Sequence, residues 1–389
     1  MATDLPPEIP TANKTLTAKC YCASVHFTIT VPSTSLPLPV HLCHCHICRY
    51  THGTFSVFHA PLPKGTSPVF IAPSSLSSST TSYVHGPLAA SERLFCSTCG
   101  CHIGDRDLPS PPSPEPSSDN PPEYKEEEPS WRVATSIFDQ HGEDIFQIRT
   151  HTFTRNLGSG GSLAKWLPKM GDRAIREWNP ELDTSEKFPI PPPQAPATEL
   201  DDDGKERLKA ECHCGGVSFT IPRPNNIPGL DGLPAKYVSK KENNKWVACL
   251  DVCDDCRLVD GTHVIGWTFV PLAELQPHVG RDLKLGTLTT YRSSETATRA
   301  FCEKCGATVF FLADNRAPDE KNAVVDVAVG ILRAPEGVAA EEWLTWRTGR
   351  VGWMDSGKKF DKVFAESLAK GFGEWGRERY GEDLVFEIP

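Results

Sequence analysis

No stretch of this chain stays apolar for anything near the ~20 residues that a membrane-spanning helix needs, so no span is expected. Residues 1–13 are polar and carry proline, without the basic-then-apolar order of a secretory signal. A tail over residues 1–14 and a cytoplasmic protein, with the nucleus as the other compartment, are therefore expected. Basic residues are outnumbered, and the formal charge of −10 weighs against direct nucleic-acid contact, which ordinarily needs a basic surface. The chain also lacks a Ser-His-Asp order, a glycine-rich phosphate loop and a paired-carboxylate signature. Helical patterning is scarce before residues 359–380.

Cysteine is what the chain does have. There are fifteen, an odd count, grouped as C-x-C and C-x-x-C. Sulfurs that close in sequence pair poorly as disulfides and converge readily on one ion. Without an export signal, such spacing points to metal.

The chain also repeats itself. Cys20-Tyr21-Cys22, followed by Val25, Phe27 and Ile29, returns as Cys212-His213-Cys214, followed by Val217, Phe219 and Ile221. Cys45-His46-Ile47-Cys48-Arg49 with Gly53 returns as Cys253-Asp254-Asp255-Cys256-Arg257 with Gly261. Arg93-Leu94-Phe95-Cys96 with Cys99 and Gly100 returns as Arg299-Ala300-Phe301-Cys302 with Cys305 and Gly306. Three blocks in one order indicate a duplication. The expected halves are residues 15–187 and 207–389, joined by a proline- and aspartate-rich linker at 188–206. A Pro/Ser/Glu-rich insertion at about 108–130 and a serine-rich loop at 73–82 are expected within the first half. Alternation at Val25, Phe27, Ile29 and at Val217, Phe219, Ile221 marks half-buried strands. Residues 56–60, 264–270 and 323–329 are β-rich as well. Each half is expected to be mainly β, built of small antiparallel sheets with few helices, and to stand or unfold by itself.

Cys20, Cys22, Cys96 and Cys99 supply the two short pairs of a closed tetrahedral zinc site, and Cys212, Cys214, Cys302 and Cys305 supply a second. The middle run differs. Cys43, Cys45 and Cys48 offer three thiolates, leaving a fourth position for water or substrate. Zinc held by three thiolates carries a net charge of about −1, so it suits holding a thiol as its thiolate better than activating water. In the second half Cys253 and Cys256 remain, but Asp251 stands where Cys43 does. Cys249, two residues back on the same strand face, either closes that site with Asp251, Cys253 and Cys256, or the site binds nothing. Three zinc ions per chain are expected, or four if the last site closes. Cys101 has no counterpart and reads as a buried strand cysteine. Of the nearby histidines, His41 and His44 lie on opposite strand faces, so at most one reaches the metal.

These motifs resemble the glutathione-dependent formaldehyde-activating (GFA) family, which includes the centromere protein V-like proteins. The first half carries all three family motifs, with Arg49, Gly53, Arg93 and Phe95 in place. The second carries the middle one imperfectly. The resemblance implies a zinc-pinned β-tent fold, a second zinc on the three cysteines at the active site, and condensation of glutathione with formaldehyde, formally a carbon–sulfur lyase in reverse. Arg49 and Arg93 are candidates to meet the carboxylates of a small thiol such as glutathione. A non-catalytic, zinc-stabilised module for a protein or chromatin partner is the alternative.

Overall fold

The computed structural model describes residues 12–87, 89–109, 129–179 and 199–388. Most of the expected tail, insertion and linker lie outside those residues. Among the described residues, 23 strands against six α-helices make the chain mainly β.

Each half opens with a hairpin. Asn13–Lys19 pairs antiparallel with His26–Pro32, Leu16 opposite Ile29 and Ala18 opposite Phe27, and all four side chains are buried. Glu206–Glu211 and Ser218–Pro222 repeat it, with Leu208 opposite Ile221 and Ala210 opposite Phe219. The period-2 pattern thus places one face of each hairpin inward.

Two larger sheets carry the remaining motifs. In the first half the order is Arg176–Trp178, Phe146–Thr152, Leu38–Cys43, Val57–Pro61, Trp131–Ala134, His102–Asp107, Ser91–Cys96, Thr80–Tyr83. In the second it is Leu344–Trp346, Trp246–Asp251, Ile265–Pro271, Val324–Ala328, Thr308–Ala313, Ala297–Cys302, Leu288–Ser294. From Phe146–Thr152 onward the two orders match strand for strand, so the duplication extends to topology. Leu38–Cys43 and Trp246–Asp251 each gain a parallel neighbour, which local alternation does not reveal.

Two local expectations are corrected. Residues 73–82 are not a plain loop. The Ser75 hydroxyl accepts from the Ser78 N–H at 3.1 Å and caps a short helix, Leu76–Ser79, which runs into the strand Thr80–Tyr83. The C-terminal helix starts early, spanning Met354–Tyr380, and is broken at Asp361. There the Asp361 carboxylate accepts from the Phe364 N–H at 2.9 Å and restarts the helix as a cap would.

The halves do not stand apart. Buried apolar residues of both form one continuous core. The C-terminal helix packs across the boundary: Phe372 and Trp375 lie 5.1 and 5.4 Å from the fully buried Trp166 ring, and Phe364 meets Phe58 at 5.7 Å. Truncating a residue placed like Trp166 to Ala costs about 3–5 kcal/mol. Contacts between the halves are reciprocal. The Tyr21 N–H donates to the Leu258 carbonyl at 3.1 Å, and at the equivalent point the His213 N–H donates to the Tyr50 carbonyl at 2.9 Å. Gly53 and Gly261 end their helices in left-handed conformation, φ 75° and 67°. A Cβ at Gly53 would strike the Thr308 carbonyl oxygen, and one at Gly261 the His102 carbonyl oxygen. Glycine is thus required twice over, by φ and by the close approach of the other half. The two halves therefore share one packed core.

Candidate metal centres

In the first half the turn between the hairpin strands presents Cys20 and Cys22, and the end of Ser91–Cys96 presents Cys96 and Cys99. Cys20 and Cys22 sulfurs lie 3.5 Å apart, and Cys22 and Cys96 3.6 Å apart. Cys212–Cys214 and Cys214–Cys302 are both 3.5 Å apart. Within each set all four sulfurs fall within 4.8 Å of one another. Two sulfurs bound tetrahedrally to one zinc are about 3.8 Å apart, so the donor sets fit that ion. Four crowded thiols also fit it chemically. A hydrogen bond from Cys20 holds Cys22 well below the ordinary thiol range, while hydrogen bonding with Cys20 pushes Cys99 far above it. A divalent cation lets all four be thiolates at once. Gly100 and Gly306 follow each C-x-x-C at φ 82° and 81°, and their N–H groups donate to the Cys96 and Cys302 carbonyls at 3.0 and 2.8 Å.

The middle clusters form where a strand turns into a helix. Cys43 ends the strand Leu38–Cys43, and Cys45 caps the helix His46–His52, its sulfur accepting from the Cys48 N–H at 3.4 Å. The C-x-x-C spacing is therefore a sulfur-capped helix start, and the accepted N–H favours the thiolate. Hydrogen bonding with Cys43 lowers the Cys45 thiol well below its ordinary range. Cys43 and Cys45 are partly buried and Cys48 is buried. Among the described residues no fourth donor joins these three. Three of the nearby histidines have other partners. His44 bonds His151 at 2.9 Å, His52 lies 2.9 Å from the Cys48 carbonyl oxygen, and His59 bonds Asp105 at 3.0 Å.

In the second half Asp251, Cys253 and Cys256 converge in the same way, with the Cys253 sulfur accepting from the Cys256 N–H at 3.2 Å. Cys249 is not among the converging donors. Residues two apart on a strand are about 6.6–6.8 Å apart, so sharing a face with Asp251 does not bring Cys249 to the turn. The four-ligand closure of that site is thus corrected to three donors. Burial raises the Asp251 pKa, and the Cys253 N–H, donating to it at 2.8 Å, works the other way.

Arg93 sits on the cluster itself. One terminal nitrogen lies 3.8 Å from the Cys48 sulfur and the other 3.0 Å from His85 Nδ1. Arg299 makes the equivalent contacts to Cys256 at 3.6 and 3.7 Å. Burial opposes the charge of Arg93, yet the neighbouring Cys48 and Asp105 charges hold its pKa above the ordinary value. Arg93 is thus engaged with the sulfur, and the other candidate arginine is Arg49. It is buried, lies 4.9 Å from the centroid of the Tyr50 ring, and among the described residues pairs with no carboxylate. Two residues escaped sequence reasoning, His213 and Arg333. Both come from the second half and reach the first-half site. His213 Nδ1 lies 2.8 Å from the Tyr83 hydroxyl, and Arg333 lies 3.3 Å over the Tyr50 ring. His213, as the middle residue of its C-x-C, carried a weak signal, and Arg333 carried none.

The model of the glutathione-dependent formaldehyde-activating enzyme family matches residues 15–114 and 235–347. The second match starts past Cys212 and Cys214, which the fold returns to Cys302 and Cys305. No curated protein and no solved structure matches the chain. No helix among the described residues is long and apolar enough to cross a membrane. With more than half its length matched in two successive segments, the chain belongs to the glutathione-dependent formaldehyde-activating enzyme family, as a tandem pair of its domains.

Proposed function

We propose that the first-half cluster is the working site of a zinc-dependent, carbon–sulfur lyase-like enzyme that handles a glutathione–aldehyde adduct of the S-hydroxymethylglutathione type. One observation carries this reading: three sulfurs converge without a fourth protein donor among the described residues, two of them only partly buried, with Arg93 on the third. Zinc on Cys43, Cys45 and Cys48 would supply an open position at which a thiol is held as its thiolate at neutral pH. In the condensing direction the sulfur electron pair forms a bond to the aldehyde carbon, and the carbonyl oxygen takes up a proton. In the reverse direction that bond breaks and the thiol and aldehyde part. Arg93 keeps the Cys48 sulfur oriented and offsets its charge. The four-cysteine sets would hold structural zinc, pinning hairpin to sheet in each half.

The second half supports a different role. Its middle cluster substitutes a carboxylate, a harder ligand, for a thiolate, which favours a structural or interaction function there. The rate of S-hydroxymethylglutathione formation above the spontaneous rate tests the assignment. Cys45→Ser should abolish it, and Cys253→Ser should leave most of it, in variants shown to be folded. Equal losses would show that both halves catalyse, or that one composite site spans them.

A further inference from the structure

The two middle clusters share a backbone and differ in what surrounds them. Around Cys43, Cys45 and Cys48, several buried nitrogens have no hydrogen-bond partner: both ring nitrogens of His46, and Nε of Arg49, Arg93 and Arg333. An unmade hydrogen bond on a buried polar group costs about 1–3 kcal/mol, so a ligand rich in acceptors would recover it. At the second cluster the equivalent guanidiniums are satisfied by the protein. Arg257 Nε donates to the Asp254 carboxylate at 3.2 Å, and Arg299 Nε to the Ser293 hydroxyl at 3.3 Å.

The charges diverge as well. Arg333 follows the short turn Val329–Ile331, and its N–H donates to the Lys209 carbonyl at 2.8 Å. The equivalent turn in the first half, Thr135–Ile137, is followed by Asp139, whose N–H donates to the Thr17 carbonyl at 2.9 Å. A cation over the first cluster's helix thus has an anion as its twin. His46 and Ile47 likewise have Asp254 and Asp255 as twins. Arg333 is held in place by the Glu211 and Cys212 carbonyls at 2.9 and 3.4 Å and by the Glu211 carboxylate at 3.6 Å, with its Nε left over, 3.3 Å over the same Tyr50 ring that Arg49 approaches at 4.9 Å.

Resting on the thiol-handling role proposed above, we infer that the first-half site selects a thiol bearing carboxylates, which Arg49 and, from the second half, Arg333 bind. The site is then a composite of both halves, and the second cluster, with Asp139, Asp254 and Asp255 at the equivalent positions, does not accept the same ligand. Guanidiniums meet carboxylates through paired N–H donors, and both of these approach the one Tyr50 ring. This makes Arg333 a specificity residue.

Calorimetric titration of the full-length, zinc-loaded protein tests this, with glutathione and with its diester, in which both carboxylates are masked. The wild type should bind the free acid about tenfold or more tightly over the diester. Arg333→Leu should lose that preference while leaving the diester affinity and zinc content unchanged, and Arg333→Lys should keep part of it. Asp139→Asn, at the twin position, should change neither. An intact preference in folded Arg333→Leu overturns the inference. So does a wild type that binds acid and diester equally, although the thiol-handling role then survives. A wild type that binds neither thiol overturns that role, and this inference with it. Should Arg333→Leu fail to fold, the wild-type preference and its reduction in Arg333→Lys decide.

Discussion

Phe95 and Phe301 meet nearly edge-on, 6.3 Å apart between ring centroids, each one residue before a cysteine of its own four-cysteine set. Each ring also presses on the other half's knuckle glycine: a Cβ at Gly100 would lie 2.5 Å from the Phe301 ring, and one at Gly306 2.7 Å from the Phe95 ring. The two sets are therefore packed back to back through these rings.

Loss of one set should accordingly reach the other. Structural zinc contributes on the order of 10 kcal/mol to folding, and one core spans both halves. Cys96→Ser should unfold the whole molecule in one transition, followed by circular dichroism. Limited proteolysis should leave no resistant fragment from residue 207 onward; survival of such a fragment would show two separable units.

The glycine at the end of each sulfur-capped helix should be irreplaceable. Gly53→Ala forces a left-handed Cβ into the Thr308 carbonyl oxygen, so it should cost more than about 3 kcal/mol in urea unfolding. Gly65 is the control. It has a similar φ of 76° but nothing within 4 Å of an added Cβ, so Gly65→Ala should cost only about 1–2 kcal/mol.

Acid should weaken the fold partly through His102. Burial holds its imidazole at a pKa of about 3, below the ordinary 6.5, and its Nε2–H donates to the Gly306 carbonyl at 3.1 Å. A depressed histidine means that the unfolded chain takes up the proton first. This contribution is therefore fully present above 6.5 and lost as pH falls from there toward 3. His102→Thr, which installs the residue found at the equivalent Thr308, should give a shallower loss of urea midpoint between about pH 7 and pH 5. An unchanged slope would remove His102 from the account.

Metal content should separate the four clusters. Elemental analysis should find three firmly held zinc ions per chain, and an ion on Asp251, Cys253 and Cys256 should be the first to leave for a chelator, because one of its three donors is a carboxylate. Arg93→Leu should weaken the ion on Cys43, Cys45 and Cys48 by about 10–100-fold, as loss of a ligand-orienting partner does. One ion or none in gently purified protein would contradict the whole assignment of ligands.

Much of this was legible because it is local. Cysteine spacing named the donor sets, and alternation at Val25, Phe27 and Ile29 named an inward strand face. The order of motifs exposed the duplication. What escaped depends on distant partners. Phe95 and Phe301 stand out as motif residues, but that their rings meet depends on how the two sheets come together. Period-2 reasoning put Cys249 on the right face but said nothing about its distance from a turn. Arg93 looked like a carboxylate binder because a buried arginine beside a thiolate has no sequence signature. Arg333 lies far along the chain from the site it reaches.

Joining two like halves in one chain has a consequence for assembly. Between separate identical subunits, every change at the interface occurs twice, and association weakens on dilution. Here a tether lets Asp139 and Arg333 carry opposite charges at equivalent places, a divergence that self-pairing subunits cannot reach. Contacts between the halves should then hold at any protein concentration, so the thermal midpoint should not move when the protein is diluted.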